Sequence, residues 1–179
     1  DGSWSFSNIR KANYALASID RIDATPAAKN HWRGVARFFR ACYYSNLVFR
    51  YGDVPWYDRV PKLSSSKEDM DYLYKDRDPR AYVDSCIMAD FQYAMDSVRE
   101  NDGALQINRY VVAAMTSRLM LREGTFLKYH NIDTELAKKC LTMAKTAAEL
   151  VMNSNKYAIT PSYKALFTSE DLGSNLEII

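Results

Sequence analysis

The chain has 179 residues, enough for one ordinary domain with a real core or for a piece of something larger. A hydrophobic content of 47% excludes wholesale disorder, and a net charge of +2 with acids and bases mixed throughout offers no basic face for nucleic acid. The longest uninterrupted apolar run, 111–115, falls far short of the ~20 residues of a membrane span, and no signal-peptide succession opens the chain.

Ile9, Ala12, Leu16, Ile19 and Ile22 recur at three and four residues, so roughly 7–23 reads as an amphipathic helix. Thr25-Pro26 supplies a cap and a first-turn proline for a helix running to about Arg50. Trp32, Ala36, Phe39, Tyr43 and Leu47 form one of its stripes, and Val35, Phe38, Cys42 and Phe49 a second. Two stripes predict packing on more than one side, with Trp32 in the core. Gly52 ends this helix, and 52–77 reads as a long irregular loop. Its aromatics, Trp56, Tyr57, Tyr72 and Tyr74, argue against plain disorder.

Asp78-Pro79 repeats the cap-plus-proline signal for a third helix to about Glu100, along Val83, Ile87, Phe91, Ala94 and Val98. Asn108 caps a fourth, 109–129, apolar nearly all round and therefore central; Asp133 caps a fifth. "SYKALF" after Pro161 predicts a short helical turn, and a strand pattern occurs only at 176–179. The predicted fold is all-α, with tetratricopeptide-like helical repeats and one long aromatic loop. The third helix is expected to pair with the fourth, and the fifth with the segment after Pro161. The apolar end Leu176-Glu177-Ile178-Ile179 suggests a chain cut within a larger domain, so 1–179 is expected to be a single helical-repeat segment.

Cys42, Cys86 and Cys140, odd in number and without CxxC spacing, suit neither a disulfide framework nor a zinc site. His31 and His130 stand far apart with no HExxH context, and GxSxG, P-loop and GxGxxG motifs are absent. The acids Glu68, Asp69, Asp71, Asp76 and Asp78 lack the glycine and spacing of an EF-hand loop. No enzyme, cofactor or metal is expected.

Five segments, taken in order, resemble the SusD/RagB family of outer-membrane nutrient-binding lipoproteins of Bacteroidetes-type bacteria. They are "IRKANYALASID" (9–20), "GVARFFRACYYSNLVFRYGDVPWY" (34–57), "RDPRAYVDSCIMADFQYAMDSV" (77–98), "NRYVVAAMTSRLMLREGTF" (108–126) and "SYKALFTSEDLGSNLEII" (162–179). The long helix ending in "RYGDVPWY" is the most specific. Members are longer, beginning with a lipoprotein signal and lipid anchor and carrying a divergent second half. The resemblance implies a helical scaffold docking on a TonB-dependent, SusC-like transporter and holding oligosaccharide at the cell outer membrane without catalysis. Membrane attachment would be through a lipid anchor outside this sequence.

A sugar ring offers an apolar C–H face and a polar rim, so a glycan platform needs flat aromatics beside hydrogen-bonding side chains. Trp56 and Tyr57, with Asp53 and Asp58, supply both on a loop at the end of a rigid helix. The alternative for Trp56 is a plug folded back over that helix end. Trp4 with Asn8 is a second candidate, and Tyr72 and Tyr74 with Arg77 could line a rim. Arg37, Arg40 and Arg50 are expected to pair with acids or carbonyls. A rival reading of the whole chain is a helical-repeat adaptor that binds only protein or peptide. Joint exposure of Trp56, Tyr57 and Trp4 would separate the two.

Overall fold

A computed structural model describes residues 4–61, 64, 66–101, 103, 106–160, 162–168, 170 and 175–179. Among these the fold is all-α. Helix α1 (Ser7–Ser18) passes into a 3-10 turn (Ile19–Arg21). Then come α2 (Pro26–Tyr51), α3 (Lys67–Leu73), α4 (Arg80–Ser97), α5 (Arg109–Tyr129), α6 (Thr134–Met152) and α7 (Tyr163–Thr168).

The starts follow local chemistry. Thr25 accepts from the Ala28 N–H at 3.2 Å, Asn108 from those of Tyr110 and Val111, and Asp133 from that of Leu136, each side chain satisfying an orphan donor of its helix. At the far end of α2, Gly52 sits at φ 71°, a conformation open to glycine, and its N–H returns to the Val48 carbonyl at 2.9 Å. Helix α4 starts differently from the expectation. Asp78 does not cap it; the Arg80 N–H is bonded at 2.8 Å by the carboxylate of Asp53, from the loop after α2. Asp78 turns instead to the Trp56 N–H. The segment predicted as irregular contains α3, whose first turn is capped by the Ser66 hydroxyl.

The helices stack in sequence: α1 on α2, α2 on α4, α4 on α5, and α5 on α6. The broadest interfaces are α5 with α6 and α2 with α4, so the expected pairing of α4 mainly with α5, and of α6 with the segment after Pro161, is corrected. Close approach explains two glycines. A Cβ on Gly34 would fall 2.8 Å from Val98 Cγ2, and one on Gly124 2.8 Å from Leu141 Cγ and 3.0 Å from the Ala137 carbonyl. The core joins Ile9, Phe38, Tyr44 and Val48 to Val83, Ile87 and Phe91, then Val112, Met120 and Leu127, then Cys140 and Ala144. It is continuous from α1 to α6.

Two further expectations change. Leu176 and Glu177 sit in a turn closed by the Ile178 N–H on the Asn175 carbonyl, and the Leu176 carbonyl accepts from the Ala158 N–H, so the strand pattern is not realised. Trp32 is 51% exposed and lines a groove beside α1 instead of the core.

Beneath the surface lies a charged cluster between α4 and α5. Arg80 is paired with Glu123, which also receives Arg122 Nε at 2.9 Å, while Asp84 faces Arg80 Nε at 3.8 Å. Arg80 lies 3.6 Å over the Phe126 ring, a cation held by both a carboxylate and a π-face.

Candidate functional site

The loop after α2 is held from below by a buried arginine. Arg40 makes a two-pronged pair with Asp90 of α4, Nε to Oδ2 at 2.7 Å and Nη2 to Oδ1 at 2.8 Å. Its Nη1 donates to Asn13 of α1 at 2.8 Å and to the Asp58 carbonyl at 3.0 Å. Asn13 in turn donates to the Tyr57 carbonyl at 2.9 Å. Three helices and one loop carbonyl therefore meet at one guanidinium, whose fork geometry suits this convergence, and Asn13 ties in a second carbonyl.

Above that network the chain folds inward. Val54 bridges to Asp78, and Val54 and Pro55 are buried. Trp56 is only 7% exposed: its ring lies 4.2 Å from that of Tyr44, with Arg40 5.1 Å from its centroid. Trp56 thus takes the plug position and presents no face for a sugar to stack on. Tyr44 is buried as well; its hydroxyl accepts from the Tyr57 N–H at 2.6 Å and donates to the Pro55 carbonyl at 3.2 Å. Burial pushes its phenol well above the usual range, so it stays a neutral donor and acceptor.

The other candidates separate into three roles. Tyr57 is partly open, its hydroxyl tied to the Leu73 carbonyl and its ring edge-on to Phe6 and to Tyr72, each at 5.4 Å. Trp4 is 42% exposed, edge-on to Tyr51 at 4.9 Å and Phe6 at 5.5 Å, with the Arg77 guanidinium 5.2 Å from its ring. Through Phe6, Trp4 and Tyr57 belong to one aromatic cluster. Tyr72 is structural in its bonds: its hydroxyl accepts from the N–H groups of Asp58 and Arg59 and donates to the Asp58 carboxylate. Asp53 serves α4. Tyr74 is largely exposed, and Asn8 faces a groove along the other side of α1. Three of the five acids compared with an EF-hand loop have other partners: Asp69 the Ser64 and Ser66 hydroxyls, Asp71 Lys67, and Asp78 Lys75 with the Trp56 N–H.

Beside the cluster opens a cleft of about 500 Å³, lined by Phe6, Ile9, Arg10, Tyr57, Arg59 and Leu73 among others. It is concave, largely apolar at its floor and edged by guanidinium groups, a composition able to hold a flat amphipathic ring.

No protein-family model and no curated protein matches the chain. Solved structures do. A SusD-like protein from Bacteroides fragilis superposes with a TM-score of 0.74 at 19% identity, over 96% of this chain and 30% of its own. A SusD-like carbohydrate-binding protein from Bacteroides vulgatus does so at 0.64 and 23% identity, over 90% of this chain and 32% of its own. The chain has the SusD-like fold. A laminarin-binding SusD-like protein matches too, with a TM-score of 0.69 and 15% identity over 92% of this chain and 33% of its own. The chain spans about a third of the length of the SusD-like structures it matches.

Within this SusD-like frame, Phe6, Tyr51, Arg10 and Arg59 were not among the expected site residues. Phe6 and Tyr51 lie just outside or at the end of helices, where no periodicity marks them. Two other grooves lie elsewhere, one along α1 and α2 floored by Ala12, Ala36 and Val35, another over α4 and α6 with Met88, Met95 and Met143. Among the described residues no three His, Cys, Asp or Glu gather as metal ligands, and no helix is long and apolar enough to cross a membrane.

Proposed function

We propose that this chain is the helical-repeat segment of a SusD/RagB-type lipoprotein that captures oligosaccharide at the bacterial outer membrane and passes it, uncleaved, to a SusC-like TonB-dependent transporter. The observation that carries the reading is the aromatic surface made by Trp4, Phe6 and Tyr57 on a SusD-like fold, beside an open cleft. The names of the matching structures, a carbohydrate-binding and a laminarin-binding protein among them, support the ligand class. Binding here works by stacking on partly exposed rings, with arginine and backbone groups reaching the hydroxyls. Trp4 and Tyr57 take over the stacking role that Trp56 leaves.

Polysaccharide affinity gels test this directly. The full chain should be retarded by at least one polysaccharide, and Trp4→Ala should weaken that retention about tenfold, the scale of one buried aromatic face. Retention unchanged in Trp4→Ala would remove Trp4 from the site; absence of retention on every polysaccharide would overturn the capture reading.

A second reading draws on one observation, the groove beside α1 in which Trp32 and Phe39 stand exposed. Such a surface suits a protein or peptide partner of an adaptor. Glycan retention lost in Trp4→Ala but kept in Trp32→Ala would favour capture over this alternative.

A further inference from the structure

The cleft beside Tyr57 has an uneven charge. Its charged lining residues are Arg10, from α1, and Arg59, from the loop; no carboxylate lines it among the described residues. Each guanidinium rests on an aromatic ring. Arg59 lies 4.0 Å over Tyr72, and Arg10 5.4 Å from the centroid of Tyr14, whose hydroxyl it also bonds at 3.3 Å. A third, Arg77, lies over Trp4 at the edge of the same aromatic cluster. Stacking on a ring orders an arginine while leaving its fork free for an incoming anion.

The nearby acids are already engaged. Asp69 stands 3.6 Å from Arg59, and the Ser64 and Ser66 hydroxyls, with Arg59 after them, hold its carboxyl below the usual range. Asp58 accepts from the Tyr72 hydroxyl, and Asp78 from the Trp56 N–H and Lys75. Arg10 meets no carboxylate among the described residues. A neutral sugar would add only hydroxyl acceptors to its bond with Tyr14; an anionic one would supply the opposite charge.

Resting on the glycan-capture reading, we propose that this cleft takes an anionic sugar residue, uronate or sulfate ester, its ring against Phe6 and Tyr57 and its charge toward Arg10 and Arg59. A charge-assisted two-pronged bond gives both strength and orientation. Apolar floor and cationic edge together match an acidic pyranose better than a neutral one.

Affinity electrophoresis of the full chain on three polymers tests the assignment: polygalacturonate with carboxylates only, dextran sulfate with sulfates only, and laminarin with neither. Retention on one of the first two is expected, weakening as salt rises because exposed charges are screened within about 10 Å at 0.1 M. Arg10→Gln and Arg59→Gln should each weaken it about tenfold, the scale of one lost charge-assisted bond. Arg118→Gln, exposed on α5, removes the same charge elsewhere and should leave retention unchanged. Arg10 is exposed, so its variant tests the cleft even if Arg59→Gln fails to fold. Which of the two anionic polymers responds to Arg10→Gln separates uronate from sulfate. Retention on laminarin alone, or anionic retention indifferent to Arg10→Gln or equally lost in Arg118→Gln, would overturn the anionic site and leave glycan capture standing. Absence of retention on all three, and on every other polysaccharide tried, would overturn both.

Discussion

At the scale of single residues, two buried groups decide most. Arg40 is satisfied by Asp90, Asn13 and the Asp58 carbonyl, and truncating it leaves the buried Asp90 carboxylate to the looser pair with Arg37 at 3.7 Å. Arg40→Ala is therefore expected to cost about 3–5 kcal/mol of unfolding free energy, read from urea midpoints, and to loosen the loop above it. Asp84 poses the opposite case. It is fully buried and neither of its oxygens takes a hydrogen bond from a described residue. Burial first, and then the Glu123 carboxylate, push it up to about 7. An unfolded aspartate loses its proton near 4. Between roughly pH 4 and 7 the folded chain holds a proton that the unfolded chain has released, so this residue's contribution is full in acid and is lost as pH rises. Asp84→Asn keeps the neutral form throughout. It is expected to raise stability by about 1–3 kcal/mol at pH 8 and by little at pH 4, measured by urea titration at both.

At the scale of elements, the clearest dependence is between α5 and α6. Alanine at Gly124 would gain helix propensity but drive its Cβ to 3.0 Å from the Ala137 carbonyl, which as backbone cannot step aside. Gly124→Ala should therefore destabilise by about 1–3 kcal/mol, seen as a lower thermal midpoint, as overpacking does elsewhere. The helices themselves were legible because their caps are local. Thr25, Asn108 and Asp133 mark their own N–H groups within three residues. Where a cap comes from afar, reading fails. Asp53 reaches Arg80 across 27 positions, and no local pattern announces that. Helix α3 was missed because its Ser66 cap hides in a serine run and only a short stretch follows. Trp32 was misplaced because a stripe tells which residues share a face, not how far the neighbouring helix extends along it.

At the scale of the molecule, the succession of helices was readable from their periodicity, their pairing was not, and the candidate site was only half so. Trp56 and Tyr57 are adjacent in sequence, yet the first turns in on Tyr44 and the second toward the surface. The missing signal was available in a different form. Asn13, Arg40 and Asp90 are polar residues set among apolar positions of three helices, and a polar group at such a place must find a partner. Those three lie 27 and 50 residues apart in the chain, so their meeting requires α1, α2 and α4 to be assembled. The Tyr57 amide is bonded to the hydroxyl of buried Tyr44, beside this junction. Its hydrogen exchange with solvent should accordingly track that of the α2 core, slowing with global stability and accelerating in Arg40→Ala, as native-state exchange would record. A surface loop that exchanges at the pace of the core would mean that a ligand finds its aromatic platform already set, with little ordering left to lose when it binds.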